Sequence, residues 1–464
     1  MSNIPIIIIC YNNYKYVDNT IKQILKINNS YYKNIKIMDN CSTCIKTKYF
    51  LKNIDIEVIY RDFNYGPWIE EHVNSDIYNV LPDKFIITDP DLEFNENIPT
   101  NFIEILSELS DKYQCRKIGF ALDINDYNLM YQSIYACNNT IYDWEKQFWE
   151  KKIEDDNYEL YNATIDTTFC LINKSYHYND PNDIRVANNF TAKHLPWYVD
   201  NKIYNIYDLF LFYNYTDNDI STIKKIIFPY IIQNYFKIIK NDEFFFIKNR
   251  PEDPNLSFWN DIYLNWENNK FEILDNFLNK EKIFIDIGGW IGTTSMYGSR
   301  KSKHVYCIEA DNLSFHDMSL NLKNNCDKNY TLINKALYNI DNIEIKFGKN
   351  KFIGNSKFND STSQIYDDGN NNDYYFIKTI TIKNIINNYN INKNEISLIK
   401  VDIEGGEENI LNDLYQLNRE YNIPLYISFH YDWWKDKSLD RFEFLSREQK
   451  NQIITYPFSS LLFT

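Results

Sequence analysis

Apolar residues gather into two runs, each of which gives way to polar or glycine-rich chain and then to a helical period. The first is Pro5-Ile6-Ile7-Ile8-Ile9-Cys10, followed by apolar positions at helical spacing from Val17 to Ile27 and by a second short run, Asn34 to Met38, that ends in Asp39-Asn40. An unbroken apolar run of that length predicts a strand buried on both faces, and strand, helix, strand in that order predicts a βαβ unit. The second run, Lys282-Ile283-Phe284-Ile285, leads into Asp286-Ile287-Gly288-Gly289-Trp290-Ile291-Gly292. The next strand is His304-Val305-Tyr306-Cys307-Ile308, ending at Glu309. Between the two openings, Tyr204 to Lys240 has a helical pattern. The reading is an α/β protein of two domains, 1–215 and 245–464, joined by a helical linker region over 216–244.

Composition narrows the class. With 44% hydrophobic and 17% aromatic residues over 464 positions, the chain can bury sizeable cores and is far from a disordered composition. Its 49 Lys and Arg against 64 Asp and Glu give a net charge of -15, which repels duplex nucleic acid and argues against a nucleic-acid partner. No stretch reaches the roughly 20 apolar residues of a membrane span. The opening apolar run is too short for a signal-peptide core, and the eight cysteines are expected as reduced thiols, so a soluble cytoplasmic protein is expected.

Candidate chemistry begins at Lys84-Phe85-Ile86-Ile87-Thr88, a predicted strand that ends in Asp89-Pro90-Asp91. That places two carboxylates at a strand's carboxyl end, where α/β folds open their ligand crevice. Alternation along extended backbone would turn both to one side. Mg²⁺ or Mn²⁺ held there could bridge a diphosphate and neutralise the charge that builds as a nucleotide leaves. Asp217-Asn218-Asp219 has the same spacing in polar chain and reads as a solvated turn.

Over about residues 3 to 200 the chain resembles the family 2 glycosyltransferases of GT-A fold. The residues that carry the resemblance are Pro5 to Asn13, Ile37-Met38-Asp39-Asn40-Cys41-Ser42-Thr43, Thr88-Asp89-Pro90-Asp91, Ile165-Asp166-Thr167-Thr168-Phe169 and Thr191 to Tyr198. The resemblance implies a nucleotide-sugar donor whose base and ribose meet Tyr11, Asn12 and Asp39, with Asn64 and Gly66 lining the donor pocket. It implies a metal held by Asp89 and Asp91, with His194 as a third ligand or a diphosphate contact; packing beside Trp197 is the alternative for His194. Asp166 is the candidate base for the acceptor hydroxyl, and Glu145 is its rival.

Glycine is scarce, 11 in all, yet Gly288, Gly289, Gly292, Gly405 and Gly406 fall in two short motifs. Glycine after a strand lets backbone approach a ligand, and the following helix offers free N–H groups. Glu309, ending the next strand, is placed to accept from ribose hydroxyls. Both a dinucleotide and S-adenosylmethionine could use this arrangement. Asp286, just before the glycines, suits a cationic donor better than a pyrophosphate.

Residues from about 245 to 435 resemble the FkbM-type S-adenosylmethionine-dependent methyltransferases, a Rossmann-like class I fold. The resemblance rests on Asp286 to Gly292, Ile308-Glu309-Ala310-Asp311, and Ile399-Lys400-Val401-Asp402-Ile403-Glu404-Gly405-Gly406-Glu407. It implies that Asp286, Gly288, Gly289, Gly292 and Glu309 bind the methyl donor. Asp402 and Glu404 would stand at a strand end beside the acceptor, where they could also hold a divalent ion. His430, in Ser428-Phe429-His430-Tyr431-Asp432, is the candidate base, with a packed core histidine as the alternative. Together the two halves imply one chain that transfers a sugar to a glycan acceptor and O-methylates a sugar hydroxyl. The alternatives are that only one half is active, or that both are non-catalytic binding domains.

Overall fold

The computed structural model describes residues 4–176, 183–215, 224–349, 359, 361–365 and 374–464. The Asp217-Asn218-Asp219 turn lies outside them. The chain divides into two compact units, Met1–Tyr204 with Asp208–Tyr230, and Asn205–Tyr207 with Ile231–Thr464.

The first unit holds strands β1 (Ile6–Cys10), β2 (Ile35–Asp39), β3 (Glu57–Tyr60), β4 (Lys84–Thr88), β5 (Leu92–Phe94), β6 (Lys117–Leu122), β7 (Lys152–Ile153), β8 (Leu160–Asn162), β9 (Cys170–Asn173) and β10 (Ile184–His194). They form one sheet in the order β3-β2-β1-β4-β9-β6-β10-β8-β7, with β5 paired to β10. The β3-β2-β1-β4 portion is parallel, and β9 enters antiparallel beside β4. All five residues of β1 are buried because the sheet is covered on both faces. The helix Tyr14–Ile27 contributes Val17, Thr20, Ile21 and Ile24, an i, i+3, i+4, i+7 stripe. Phe94, Phe102, Phe120 and Phe169 pack together, the last two stacked at 4.7 Å. Strand order reverses at β1, which lies between β2 and β4, so the ends of these strands open the crevice that ligands favour.

The second unit opens with an antiparallel hairpin, β11 (Tyr235–Lys240) and β12 (Glu243–Lys248). Of the region 216–244 expected as a helical linker, Lys224–Asn234 is helix, but Tyr235 onward is strand. The reason is pairing: Tyr, Phe, Ile and Phe on the two strands face each other in register, and Lys240 turns inward. The Lys240 ammonium is fully buried and donates to the carbonyls of Tyr263, Leu264 and Trp266, fixing the turn that carries Trp266. Then come β13 (Ile283–Ile287), β14 (His304–Ile308), β15 (Tyr330–Ile333), β16 (Ala336–Leu337), β17 (Glu344–Gly348), β18 (Gln364–Ile365), β19 (Tyr374–Ile380), β20 (Ile396–Val401), β21 (Leu425–Ser428) and β22 (Ser460–Phe463). The main sheet runs β15-β14-β13-β20-β21-β22, parallel except for β22 at the edge. This is a doubly wound arrangement whose order reverses at β13. A smaller sheet runs β16-β19-β17-β18.

The first unit buries one ion pair completely. Glu145 and Arg185 meet at side-chain exposures of 2% and 6%, and the guanidinium also donates to Thr164 O and lies over the Phe148 ring. Removing one partner strands a charge in the core. Arg185→Met should therefore lower stability by about 3–5 kcal/mol, read as a fall in the urea midpoint of the full chain. Adding Glu145→Gln should recover part of it; a loss under about 1 kcal/mol would show that Glu145 is satisfied otherwise.

Candidate active sites

In the second unit the loop after β13 is shaped by its first glycine. Gly288 has φ +74°, and a Cβ there would lie 1.7 Å from the Asp402 carbonyl oxygen, so the loop can touch the end of β20 only as glycine. The N–H groups of Gly288 and Gly289 both donate to Ile308 O, at 2.9 and 3.1 Å. Gly289 and Gly292 turn toward Met318, and of the three glycines Gly288 lines the adjoining cavity.

That cavity, of about 260 Å³, has two chemically different ends. At one, Glu309 accepts the Trp290 N–H at 2.8 Å and the Asp311 N–H at 2.7 Å, one on each carboxylate oxygen. Each oxygen keeps a lone pair for a ligand hydroxyl, and burial pushes the carboxyl up to about 7. Trp290 holds φ +47°, an unusual backbone for so large a side chain. Asp286, expected from sequence to meet the methyl donor, lies behind the loop. It is wholly buried off the cavity wall, taking the Thr294 and Ser295 hydroxyls at 2.7 and 2.6 Å on one oxygen and facing Lys400 Nζ at 3.1 Å with the other. Its charge is set against that of a buried lysine.

At the other end stand Asp402, Glu404 and His430, one ligand-capable atom of each lying within 4.8 Å of the others. His430 Nε2 is 3.2 Å from Glu404 Oε2 and 3.7 Å from Asp402 Oδ1. Its Nδ1 is 3.0 Å from Glu407 Oε1, and its ring stacks on Trp433. Glu407 has no side-chain exposure and also takes the Trp434 indole N–H at 3.0 Å. Lys270 donates to Asp402 Oδ2 at 2.7 Å, and Asp402 is held below the usual carboxylate range: burial would raise it, but Lys270, Lys400 and His430 outweigh burial. For His430, burial would lower the pKa, but Glu407, Glu404 and Asp402 outweigh it and lift it to about 9. For the role of base expected from sequence, the ring would first have to give up the proton that these carboxylates favour.

In the first unit Asp39 is buried at the end of β2 and takes the Ser42 hydroxyl at 2.5 Å; burial raises its carboxyl. Asn12, at the end of β1, spends its amide on the following turn, accepting from the Thr43 and Cys44 N–H groups and donating to Thr43 Oγ1. It shapes the crevice with no free polar atom of its own. Tyr11 beside it is half-buried. Gly66 O accepts from Asn40 Nδ2, which brings the Asn64 turn to the same strand ends.

Asp89 accepts the Thr167 hydroxyl, and burial, Asp91 and Asp166 push its carboxyl up to about 8. Asp91 Oδ1 lies 3.4 Å from His194 Nε2, yet neither this oxygen nor His194 Nδ1 makes a hydrogen bond. His194 also sits edge-on to Trp197. Among the described residues Asp89, Asp91 and His194 do not converge as a three-ligand cluster; Asp402, Glu404 and His430 do. Asp166 is exposed and accepts from the Trp68 indole at 2.5 Å, with its backbone carbonyl held by Lys117. Glu145, its rival, is buried against Arg185 and presents nothing to an acceptor.

Residues 286–453 match the family model of the methyltransferase FkbM domain. Among solved structures the chain is similar to a mannosyltransferase of Pyrobaculum calidifontis in complex with GDP-Man and Mn²⁺, with 14% identity and TM-score 0.22 over 27% of this chain and 37% of that one. It is also similar to glucosyl-3-phosphoglycerate synthase of Mycobacterium tuberculosis in complex with Mn²⁺, UDP-Glc and glycerol 3-phosphate, with 10% identity and TM-score 0.22 over 37% and 57% of the two chains. A third is S. aureus TarS 1–349, with 9% identity and TM-score 0.25 over 69% and 87%. The chain thus spans under two thirds of the length of the first two. No curated protein sequence matches it.

Gly288 separates a cradle from ordinary packing. Gly288→Ala combines an imposed φ with a backbone clash and should cost well over about 1 kcal/mol in thermal unfolding. Gly406→Ala, whose nearest neighbour would be the Ile403 side chain at 3.1 Å, should cost far less. Equal melting shifts for the two would refute the close approach at Asp402.

Proposed function

We propose that the chain carries two transferases, a methyltransferase in the second unit and a nucleotide-sugar-dependent glycosyltransferase in the first, acting on a glycan acceptor. The observation that carries the first half is the cavity itself, with Gly288 and Glu309 at one end and Asp402, Glu404 and His430 at the other, inside a segment that matches a methyltransferase family. Glu309 and the Gly288 loop fit S-adenosylmethionine: a buried carboxylate with spare lone pairs suits ribose hydroxyls, and the acidic surroundings suit a cationic donor. Bound there, the donor supplies an electrophilic methyl group. The chain's own part is to orient it through Glu309 and Gly288, exclude water with Trp266 and Trp290, and hold the acceptor hydroxyl at the acidic end. A sugar hydroxyl is the acceptor we favour.

For the first unit, support comes from strand ends that gather Asp39, Asp89 and Asp91 at the point where strand order reverses. Asp91 and His194 offer unpartnered buried atoms that suit Mn²⁺, with Asp89 beside them. The ion would neutralise a leaving diphosphate. Tyr11 and Asp39 would meet the nucleotide, and Asp166, oriented by Trp68, would take the acceptor proton. Two active sites in one chain raise the local concentration of one product at the next site.

A second reading, a methyltransferase with a non-catalytic first unit, is favoured by one observation: Asp89 is already engaged by Thr167, and its ligand atoms do not converge with those of Asp91 and His194.

Glu309→Gln should weaken S-adenosylmethionine binding by about 10- to 100-fold in calorimetry on the full chain, the worth of a charged hydrogen bond or two. An unchanged Kd would remove Glu309 from the donor site. Asp89→Ala should abolish Mn²⁺-dependent release of nucleoside diphosphate from a nucleotide sugar while leaving the melting curve in place. Undiminished release would refute its metal role, and no release from the unmodified chain alongside methyl-donor consumption would select the second reading.

A further inference from the structure

We propose that His430 is a metal ligand and that Nε2 of His430, Oδ1 of Asp402 and Oε2 of Glu404 hold one divalent cation at the acidic end of the second unit's cavity. The ligand set is defined by its hydrogen bonds. Glu407 Oε1 already accepts the N–H groups of Gly405 and Ile403, at 3.2 and 3.3 Å, and Oε2 accepts from Trp434, so this carboxylate is an acceptor and His430 Nδ1 must be the donor to it. That leaves Nε2 as the atom turned toward Asp402 and Glu404. A positive charge belongs between that nitrogen and the two carboxylates, and either a ring proton or a metal ion that displaces it can supply the charge. A carboxylate holding the far nitrogen of a histidine is the usual support of a metal-bound imidazole.

The distances agree. Nε2 lies 3.2 and 3.7 Å from the two oxygens, each less than twice a bond length of roughly 2.1 Å, and all three atoms fall within 4.8 Å of one another. Lys270 takes the other oxygen of Asp402, and its own charge is shared with Glu267, so Oδ1 remains for the ion. One nitrogen with two carboxylate oxygens favours Mn²⁺ over Mg²⁺. The remaining coordination positions face the cavity that Glu404 and His430 line. In the methyl-transfer reading, on which this role rests, the ion would grip the acceptor hydroxyl, and a vicinal pair of sugar hydroxyls would suit it best.

The test is Mn²⁺ binding to the full chain, followed by electron paramagnetic resonance, with Asp91→Asn throughout so that the first unit's candidate site is removed. One Mn²⁺ per chain should remain. Glu404→Gln should weaken it at least tenfold, and Glu407→Gln, which touches no ion, by about 10- to 100-fold through His430. Should Glu407→Gln fail to fold, Glu404→Gln carries the test, because among the described residues the contact its carboxylate makes is with His430 alone. No Mn²⁺ bound, or affinity unchanged by Glu404→Gln, overturns the proposal. Glu404-dependent Mn²⁺ binding without any binding of S-adenosylmethionine would keep the ion and sink the methyl-transfer reading; donor binding without that ion would do the reverse.

Discussion

Lys400 Nζ lies 3.1 Å from Asp286 Oδ1 and donates to Gly288 O at 2.6 Å, the two charged side chains being buried at the ends of β13 and β20. An ammonium buried to this degree costs several kcal/mol in lost hydration and persists only beside an opposite charge. Asp286 supplies that charge and is itself tied to two hydroxyls of the next helix. The pair therefore joins two strands, the glycine loop and the helix after it at one point. The remaining geometry follows in order. Gly288 rests on the Asp402 carbonyl, its N–H and that of Gly289 close on Ile308 O, and Trp290 is left to give its N–H to Glu309. The cavity wall is a consequence of how one cation is housed.

Charge distribution sorts the cavity's two ends. Near Glu309 the carboxylates of Glu309 and Asp311 meet backbone N–H groups and the Ser363 hydroxyl, with the Trp290 ring in the same wall. Near His430 three carboxylates crowd one imidazole, while Lys270 offsets part of that charge from behind Asp402. Attraction of this kind acts on any cation entering the cavity, whether a proton, a metal ion or a sulfonium. The number of carboxylates around a histidine, which its identity alone does not reveal, sets how strongly the ring holds positive charge.

Much of this was legible in the chain. The apolar runs at Ile6–Cys10 and Ile283–Ile287 announced buried parallel strands, and glycine scarcity made the clusters at 288–292 and 405–406 stand out. The three groups Asp402, Glu404 and His430 meet in space as their motifs suggested. What sequence spacing could not carry was partnership at a distance. Lys270 is 132 residues from Asp402, with nothing local to flag it. Asp286 reads as a ligand because a carboxylate before glycines is chemically suggestive; that Lys400 claims it depends on β13 and β20 being neighbours. Strand β11 read as helix because Ile, Tyr and Phe in succession satisfy either period, and pairing with β12 decided it. The run Asp367 to Asp373, which has the polar composition of an exposed loop, lies outside the described residues.

The two units solve one structural problem alike and finish it differently. In each, an acid at a strand end is buried and accepts from hydroxyls a few residues on, Asp39 from Ser42 and Asp286 from Thr294 and Ser295, which helps to fix the loop. Beyond that point they diverge. At the mouth of the second unit His430 is held on both nitrogens, so its geometry is set before anything binds. In the first unit Asp91 Oδ1 and His194 Nδ1 are buried without hydrogen bonds. A buried polar atom left in that state costs about 1–3 kcal/mol, a cost that a ligand atom delivered to it would relieve. The second cluster is thus preorganised, whereas the atoms of Asp91 and His194 keep hydrogen-bonding capacity unspent.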